Sequence, residues 1–429
     1  MTIEETYLAR TPMSASIGVR AERVMPAGDT RAAGYHLPYP LTLARGDGAH
    51  VWDVDGNRYW DLSGNFTSLV HGHAYPPIVE AAQRAVADGT AWPARNPAQI
   101  ELAELLVERV ASVDQVRFCN SGSEANMLAA QVARIATGRS AILMARFGYH
   151  GAHEAFEVGT FDGLFHVPGA EATHVAAYGD ADDFETILAE RGDDIAAVFL
   201  EPVMGAGGVI SAPPEFYSRI ADATRRAGAV FVLDEVITLR LATGGRQSEL
   251  GITPDLTTFG KIIGGGFPVG AIGGRRDLMA ILDPRQFKMF HSGTFNGNPV
   301  SMAAGTASVR ELTPGRIDTM ARLTRRLVDA IDVAASARGM PFSSRVVGSL
   351  ANIYLLDTPP DANPLRADTD TMARLHLAGM NHGLYFASRG MLVTSSVMDD
   401  AAIDDIIDRF DQALDDVATT DVRSPSQPV

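Results

Sequence analysis

Cysteine is nearly absent. The 429-residue chain has one, Cys119, so no disulfide can close within it and no cluster of cysteines can hold a metal. No uninterrupted apolar run approaches the length of a bilayer span, and the opening MTIEETYLAR lacks the apolar stretch of a secretory signal. Together these absences predict a cytoplasmic protein. Basic residues are outnumbered, 36 against 52 acidic, for a net charge of −16. That balance argues against non-specific binding to nucleic acid or to an anionic membrane, and it favours solubility. There is no internal repeat, no low-complexity segment and no G-x-x-x-x-G-K-[ST] loop. The nearest dinucleotide patterns fail at the third glycine, where Val269 follows Gly264 and Gly266, and Ile210 follows Gly205 and Gly207. His150-Gly-Ala-His153-Glu154 has the wrong order for a zinc helix.

What remains is an ordinary globular composition, 46% hydrophobic and 21% charged, with mean hydropathy near zero. A chain of 429 residues is too long for one simple core, so two or three lobes are expected. The first 45 residues are mixed and contain Pro12, Pro26, Pro38 and Pro40, which reads as an arm rather than a core. Residues 51–65 read as a hairpin with Asp55-Gly56 at its turn. Helical spacing of apolar residues comes next, over about 75–110. Beyond it, the buried-strand runs VRFCN, SAILMA, AAVFLEP and AVFVLDEV alternate with helices over 124–137, 182–191 and 215–227. This is the pattern of βαβ units, hence an α/β fold with a mostly parallel sheet whose chemistry lies at the carboxyl ends of its strands. A long helix over 316–338, two short strand-like runs (SLANIYLL, GLYFASR), a helix over 400–418 and the frayed tail RSPSQPV complete the chain.

Four segments carry chemistry. The run VRFC leads into Asn120-Ser121-Gly122-Ser123-Glu124 and a helix, and small residues at such a turn bare the first helical N–H groups to a phosphate. A serine followed by glutamate is also an ordinary capping box. The strand AVFVL ends in Asp234-Glu235, where a carboxylate can pair with a cation in the cleft or merely cap the next segment. In TTFGKIIGGGFPVG, Lys261 stands between Phe259, Ile262, Ile263 and three glycines. A desolvated lysine loses basicity and becomes a nucleophile toward an aldehyde, and flanking glycines let backbone approach a ligand. The fourth segment, HSGTFNGNP (291–299), offers an anion contact through Thr294. His71 and His73 are read as structural, and Cys119 as a buried strand residue.

In this order and spacing, the segments resemble the class-III, fold-type-I pyridoxal-phosphate aminotransferases, and within them the glutamate-1-semialdehyde aminomutase branch, over roughly residues 20–415. The resemblance implies a large cofactor-binding domain (66–310). A smaller α+β domain would come from both chain ends (1–65 with the arm, and 311–429). It implies that Lys261 carries pyridoxal 5'-phosphate as a Schiff base and that Asp234 bonds the pyridine nitrogen. Ser121, Gly122 and Ser123 would cup the phosphate, with Tyr149 covering one ring face and Val236 the other. Glu201, in LEPV, would belong to the polar network. Thr294 would reach the phosphate of a neighbouring subunit, so a homodimer with shared sites is implied. Asp234 would keep the ring protonated as an electron sink, and Lys261 would shuttle the proton in a ping-pong cycle.

For the substrate, Arg31 and Arg389 are the candidate carboxylate receptors, since a guanidinium meets a carboxylate bidentately. Arg31 matches the N-terminal arginine of aminomutase-like enzymes. Ser388-Arg389-Gly390 departs from the aminomutase pattern and resembles the β-amino-acid aminotransferases and phenylglycine-type enzymes. Thr238-Leu239-Arg240 stands where the wider class has T-G-F-R. The expectation is amino transfer from a carboxylate-bearing amine, β-amino acids first, to a 2-oxo acid. Alternatives are 2,1-aminomutase action, racemase or decarboxylase chemistry on the same fold, and a non-catalytic cofactor-binding protein.

Overall fold

The computed structural model describes residues 1–160, 172–360 and 369–419. The tail expected to fray lies outside the described residues. Two compact units form: one is Asn65–Thr319, the other joins Met1–Gly64 to the described residues from 320 onward.

The larger unit is built on a seven-stranded sheet. Its order is Gln115–Cys119, Gly270–Gly274, Leu256–Gly260, Val230–Asp234, Ile195–Leu200, Ala141–Ala145 and Thr173–Ala176. Only Gly270–Gly274 runs against its neighbours; the rest are parallel to one another. The mostly parallel α/β reading therefore holds. Every residue of Ile195–Leu200 is fully buried, which is why that run lacks polar alternation. Its side chains divide by period two. Phe199 joins Met144, Val232 and Ile272 under Leu128, Ala129, Val132 and Ala133 of the helix Gly122–Thr137. Val198 and Leu200 join Leu143, Phe231 and Leu233 under Phe184, Leu188, Phe216 and Ile220 of the helices Ala181–Arg191 and Pro214–Arg226. Each large side chain so buried stabilises by roughly 1.5–3 kcal/mol, and the two layers hold the strand ends rigid.

The smaller unit has a four-stranded sheet in the order Leu43–Asp47, His50–Asp53, Arg58–Asp61 and Leu384–Tyr385. A three-stranded sheet runs Ser343–Val347, Leu350–Tyr354 and Met391–Val393. The predicted hairpin is the antiparallel pair His50–Asp53 and Arg58–Asp61. The arm reading of the first 45 residues needs correction. Helices span Ile3–Arg10 and Pro12–Glu22, the first closed by a Thr2–Glu5 capping box and the second opened by Pro12 at its first turn. Ile3 packs with Leu62, Leu375, Phe386, Ile403 and Phe410 in the core of this unit. Pro12, one of the prolines that suggested an arm, acts there as a helix start, and only about 23–41 lacks longer elements.

Candidate active site

Five loops leave the carboxyl ends of five parallel strands, and each carries residues singled out from the sequence. Ser121–Ser123 follow Gln115–Cys119, Tyr149 follows Ala141–Ala145, and Glu201 follows Ile195–Leu200. Val236 follows Val230–Asp234, and Lys261 follows Leu256–Gly260.

Close backbone approach draws the loops together. A Cβ on Gly122 would lie 3.0 Å from Val236 Cγ2, and one on Gly260 would lie 3.3 Å from Val236 Cγ1 and 3.5 Å from Gly122 Cα. A Cβ on Gly151, whose φ is +100°, would sit 2.2 Å from Ser123 Oγ. Only glycine allows the Tyr149-His150-Gly151 turn to lie against the start of the helix.

The helix Gly122–Thr137 begins as the sequence suggests. Ser121 Oγ accepts the Glu124 N–H at 3.1 Å, and Glu124 Oε2 accepts the Asn120 N–H at 2.8 Å. The capping reading is thus correct for Ser121, whose hydroxyl hydrogen stays free to donate. The N–H groups of Gly122 and Ser123 find no acceptor among the described residues. Two bare donors at the positive end of a 16-residue helix fit a phosphate.

Asp234 and Glu235, adjacent in sequence, have separate duties. Glu235 is fully buried, and its carboxylate is spent on Thr238 Oγ1, the Arg246 N–H (3.0 Å) and the Gln247 N–H (2.8 Å). It is the cap. Asp234 instead sits among His150, Asn126 and the Val236 N–H. Sequence reasoning missed His150 and Asn126. The signal was present: Asn126 lies in the second turn of the cup helix, and His150 directly follows Tyr149.

Glu201 Oε1 accepts the Tyr149 N–H at 2.8 Å and Oε2 the Gly205 N–H at 3.1 Å. Burial pushes its carboxyl up to about 7. Tyr149, 43% exposed, owes its place to that backbone contact.

Lys261 is half-buried with φ +50°, a left-handed conformation that costs a non-glycine residue about 1–2 kcal/mol. Its Nζ pairs with no described residue. Burial pushes the ammonium below the usual lysine range, opposed by Asp234 and then Glu201. A signal for it went unread in the sequence: of 36 basic residues only Lys261 and Lys288 are lysine. An unpaired amine, a buried carboxylate and two bare helical N–H groups form the donor set an aldehyde-bearing aromatic phosphate requires. The residues fit the group.

Thr294 is exposed, in a loop whose Asn296 Oδ1 accepts from Asn120 Nδ2 at 2.9 Å. Arg31 and Arg389 belong to the smaller unit. Arg31 is exposed in a turn closed by Asp29 Oδ1, which accepts the Thr30 and Arg31 N–H groups. Arg389 is exposed and meets no carboxylate among the described residues, while its carbonyl accepts from buried Asn352 Nδ2 at 3.0 Å. His71 is buried with Nε2 2.9 Å from the Ser308 carbonyl oxygen, and Cys119 is a buried strand residue.

The family model "Aminotransferase class-III" matches residues 31–414. The chain belongs to the class-III aminotransferases. It is therefore a pyridoxal-phosphate-dependent transaminase of fold type I. A glutamate-1-semialdehyde 2,1-aminomutase of Rhodopirellula baltica is 38% identical over 394 residues, covering 88% of this chain and 90% of that one. A beta-phenylalanine transaminase of Variovorax paradoxus is 38% identical over 387 residues, covering 89% and 88%. Among solved structures, an omega-transaminase of Sphaerobacter thermophilus superposes with a TM-score of 0.90 at 39% identity, covering 94% of this chain and 97% of that one.

Proposed function

We propose that this class-III aminotransferase moves an amino group from a carboxylate-bearing amine, a β-amino acid before others, to a 2-oxo acid. The observation that carries the substrate class is Arg389, an exposed guanidinium in a fixed turn with no carboxylate partner among the described residues. A beta-phenylalanine transaminase at 38% identity supports the same reading. Arg31 is assigned as the second carboxylate contact.

The roles of the chain's residues come from their chemistry. Bound here, pyridoxal phosphate supplies an electron-withdrawing ring that stabilises charge left at the substrate carbon. The Gly122 and Ser123 N–H groups and the Ser121 hydroxyl would hold the phosphate. Tyr149 and Val236 would cover the two ring faces, and Asp234 would hold a proton on the ring nitrogen. Lys261 Nζ would hold the aldehyde, and its amine would take and return the proton of the substrate carbon. Glu201 fixes Tyr149 through its backbone.

We assign a homodimer in which Thr294 serves the partner's phosphate. Phe287, Phe290 and Phe295, which flank Thr294 at 93%, 92% and 61% exposure, support a protein-covered surface.

The Rhodopirellula baltica relative, at the same 38% identity, favours a second reading, internal 2,1-amino transfer. A donor panel followed at the cofactor's absorption band, with and without an added 2-oxo acid, separates the two. β-Amino acids should convert the band, and turnover should require the oxo acid. Conversion by simple amines alone would overturn the carboxylate assignment, and turnover without an oxo acid would favour the mutase.

A further inference from the structure

We propose that His150 is the residue that positions Asp234, as a neutral Nδ1–H donor that orients the carboxylate without cancelling its charge. The inference rests on the reading that Asp234 faces the ring nitrogen of the cofactor.

Two donors converge on one oxygen. His150 Nδ1 lies 2.8 Å from Asp234 Oδ2, and Asn126 Nδ2 donates to the same oxygen at 2.7 Å. Among the described residues, Oδ1 accepts only the Val236 N–H, at 3.0 Å. Asp234 is thus lopsided: Oδ2 is filled and Oδ1 keeps a spare lone pair. Asn126 cannot turn its amide over, because its Oδ1 accepts from Thr258 Oγ1 at 2.8 Å while its Nδ2 also donates to the His150 carbonyl at 3.1 Å.

The proton state of His150 is set by its surroundings. Its side chain is fully buried, and its ring lies 5.5 Å from Phe156 and 5.6 Å from Phe199, centroid to centroid. Nε2 is buried with no hydrogen-bond partner among the described residues. An ionised Asp234 can only accept, so the imidazole hydrogen sits on Nδ1. A second hydrogen on Nε2 would be buried without an acceptor, a penalty the neutral ring avoids. An imidazolium would also neutralise Asp234 and weaken its hold on a ring proton. A neutral donor does neither.

The neighbouring ring nitrogen supplies the readout. A positive charge there lowers the basicity of the imine formed with Lys261, so losing that charge raises the pH at which the Schiff-base band titrates. Two substitutions separate a donor from a packing residue. His150→Phe keeps a ring between Phe156 and Phe199 but removes the donor; His150→Asn keeps an N–H near the Nδ1 position but loses the ring.

The experiment uses the holoenzyme and measures the midpoint of the absorption titration and the cofactor dissociation constant. His150→Phe should raise the midpoint and weaken cofactor binding about tenfold or more, the size expected for a lost hydrogen bond to a charged group. His150→Asn should recover most of both. Wild-type behaviour of His150→Phe, or a larger loss in His150→Asn than in His150→Phe, would overturn the proposal. If His150→Phe does not fold, Asn126→Leu removes the other donor to Oδ2 and should shift the midpoint the same way; no shift overturns it. Asp234→Ala keeps the two readings apart. If it leaves the midpoint unchanged, the assignment of Asp234 to the ring nitrogen fails. If it shifts while His150→Phe does not, only the role of His150 fails.

Discussion

Glu201 accepts the backbone N–H of Tyr149 at 2.8 Å, from a strand end two loops away in sequence. The contact gives Tyr149 a fixed place although its ring is open to solvent. It also leaves an acid in a site whose burial pushes it from its ordinary 4.5 up to about 7.

Glu201 thereby makes stability depend on pH. Between about 4.5 and about 7 the folded apoprotein keeps a proton that the unfolded chain has released. The contribution of Glu201 is therefore full below 4.5 and is lost as pH rises through about 7. Urea unfolding of the apoprotein across that window, set against Glu201→Gln, should show the wild-type advantage shrinking by up to about 1.4 kcal/mol per pH unit. A constant difference would show that Glu201 does not titrate there.

Lys261 is expected to be the single point of attachment. Borohydride reduction of the cofactor-loaded enzyme and then peptide mapping should find the label on Lys261 and none on Lys288. Lys261→Ala should lower kcat by about 10²–10⁴-fold or more, because the proton shuttle goes with the anchor.

Gly122→Ala tests the close approach of the loops. The new Cβ would lie 3.0 and 3.1 Å from the two methyls of Val236. Cofactor affinity should fall while the apoprotein melts near the wild-type temperature. Adding Val236→Ala should restore part of the affinity.

Arg389→Met should raise KM for a β-amino acid by about tenfold to a hundredfold, the cost of a charged hydrogen-bonded contact, while amines lacking a carboxylate change little. Arg389→Lys should recover only part, since an ammonium cannot match the carboxylate at two points. Equal losses for both donor classes would place Arg389 elsewhere.

The larger unit was legible wherever burial imposed a run. AILMA and VFVL are apolar because both faces of their sheet are covered, so their positions could be read off directly. Gly270–Gly274 escaped, because a glycine-rich strand has no side-chain pattern and reads as loop. The opening helices escaped for another reason: Pro12 starts a helix there, and proline alone does not say whether it starts or ends one. Lys261 and Asp234 were legible as chemistry out of place in apolar surroundings. His150 was not, since its meaning lies in Asp234, 84 residues away and reached only through the fold. Arg31 and Arg389 could be named but not weighed from the chain alone, because a guanidinium's purpose depends on the anion the fold brings to it.

The scarcity of lysine has a consequence for how such a protein keeps itself clean. A reactive aldehyde condenses with any neutral primary amine it meets, and most proteins of this size present a coat of them. Here all basic residues but Lys261 and Lys288 are arginine, whose delocalised cation stays protonated and does not form imines. The surface keeps its cations and withholds its nucleophiles. Free cofactor in solution therefore has few side chains on which to be stranded, and one amine, its basicity lowered by burial so that it is ready to attack, receives nearly all the traffic.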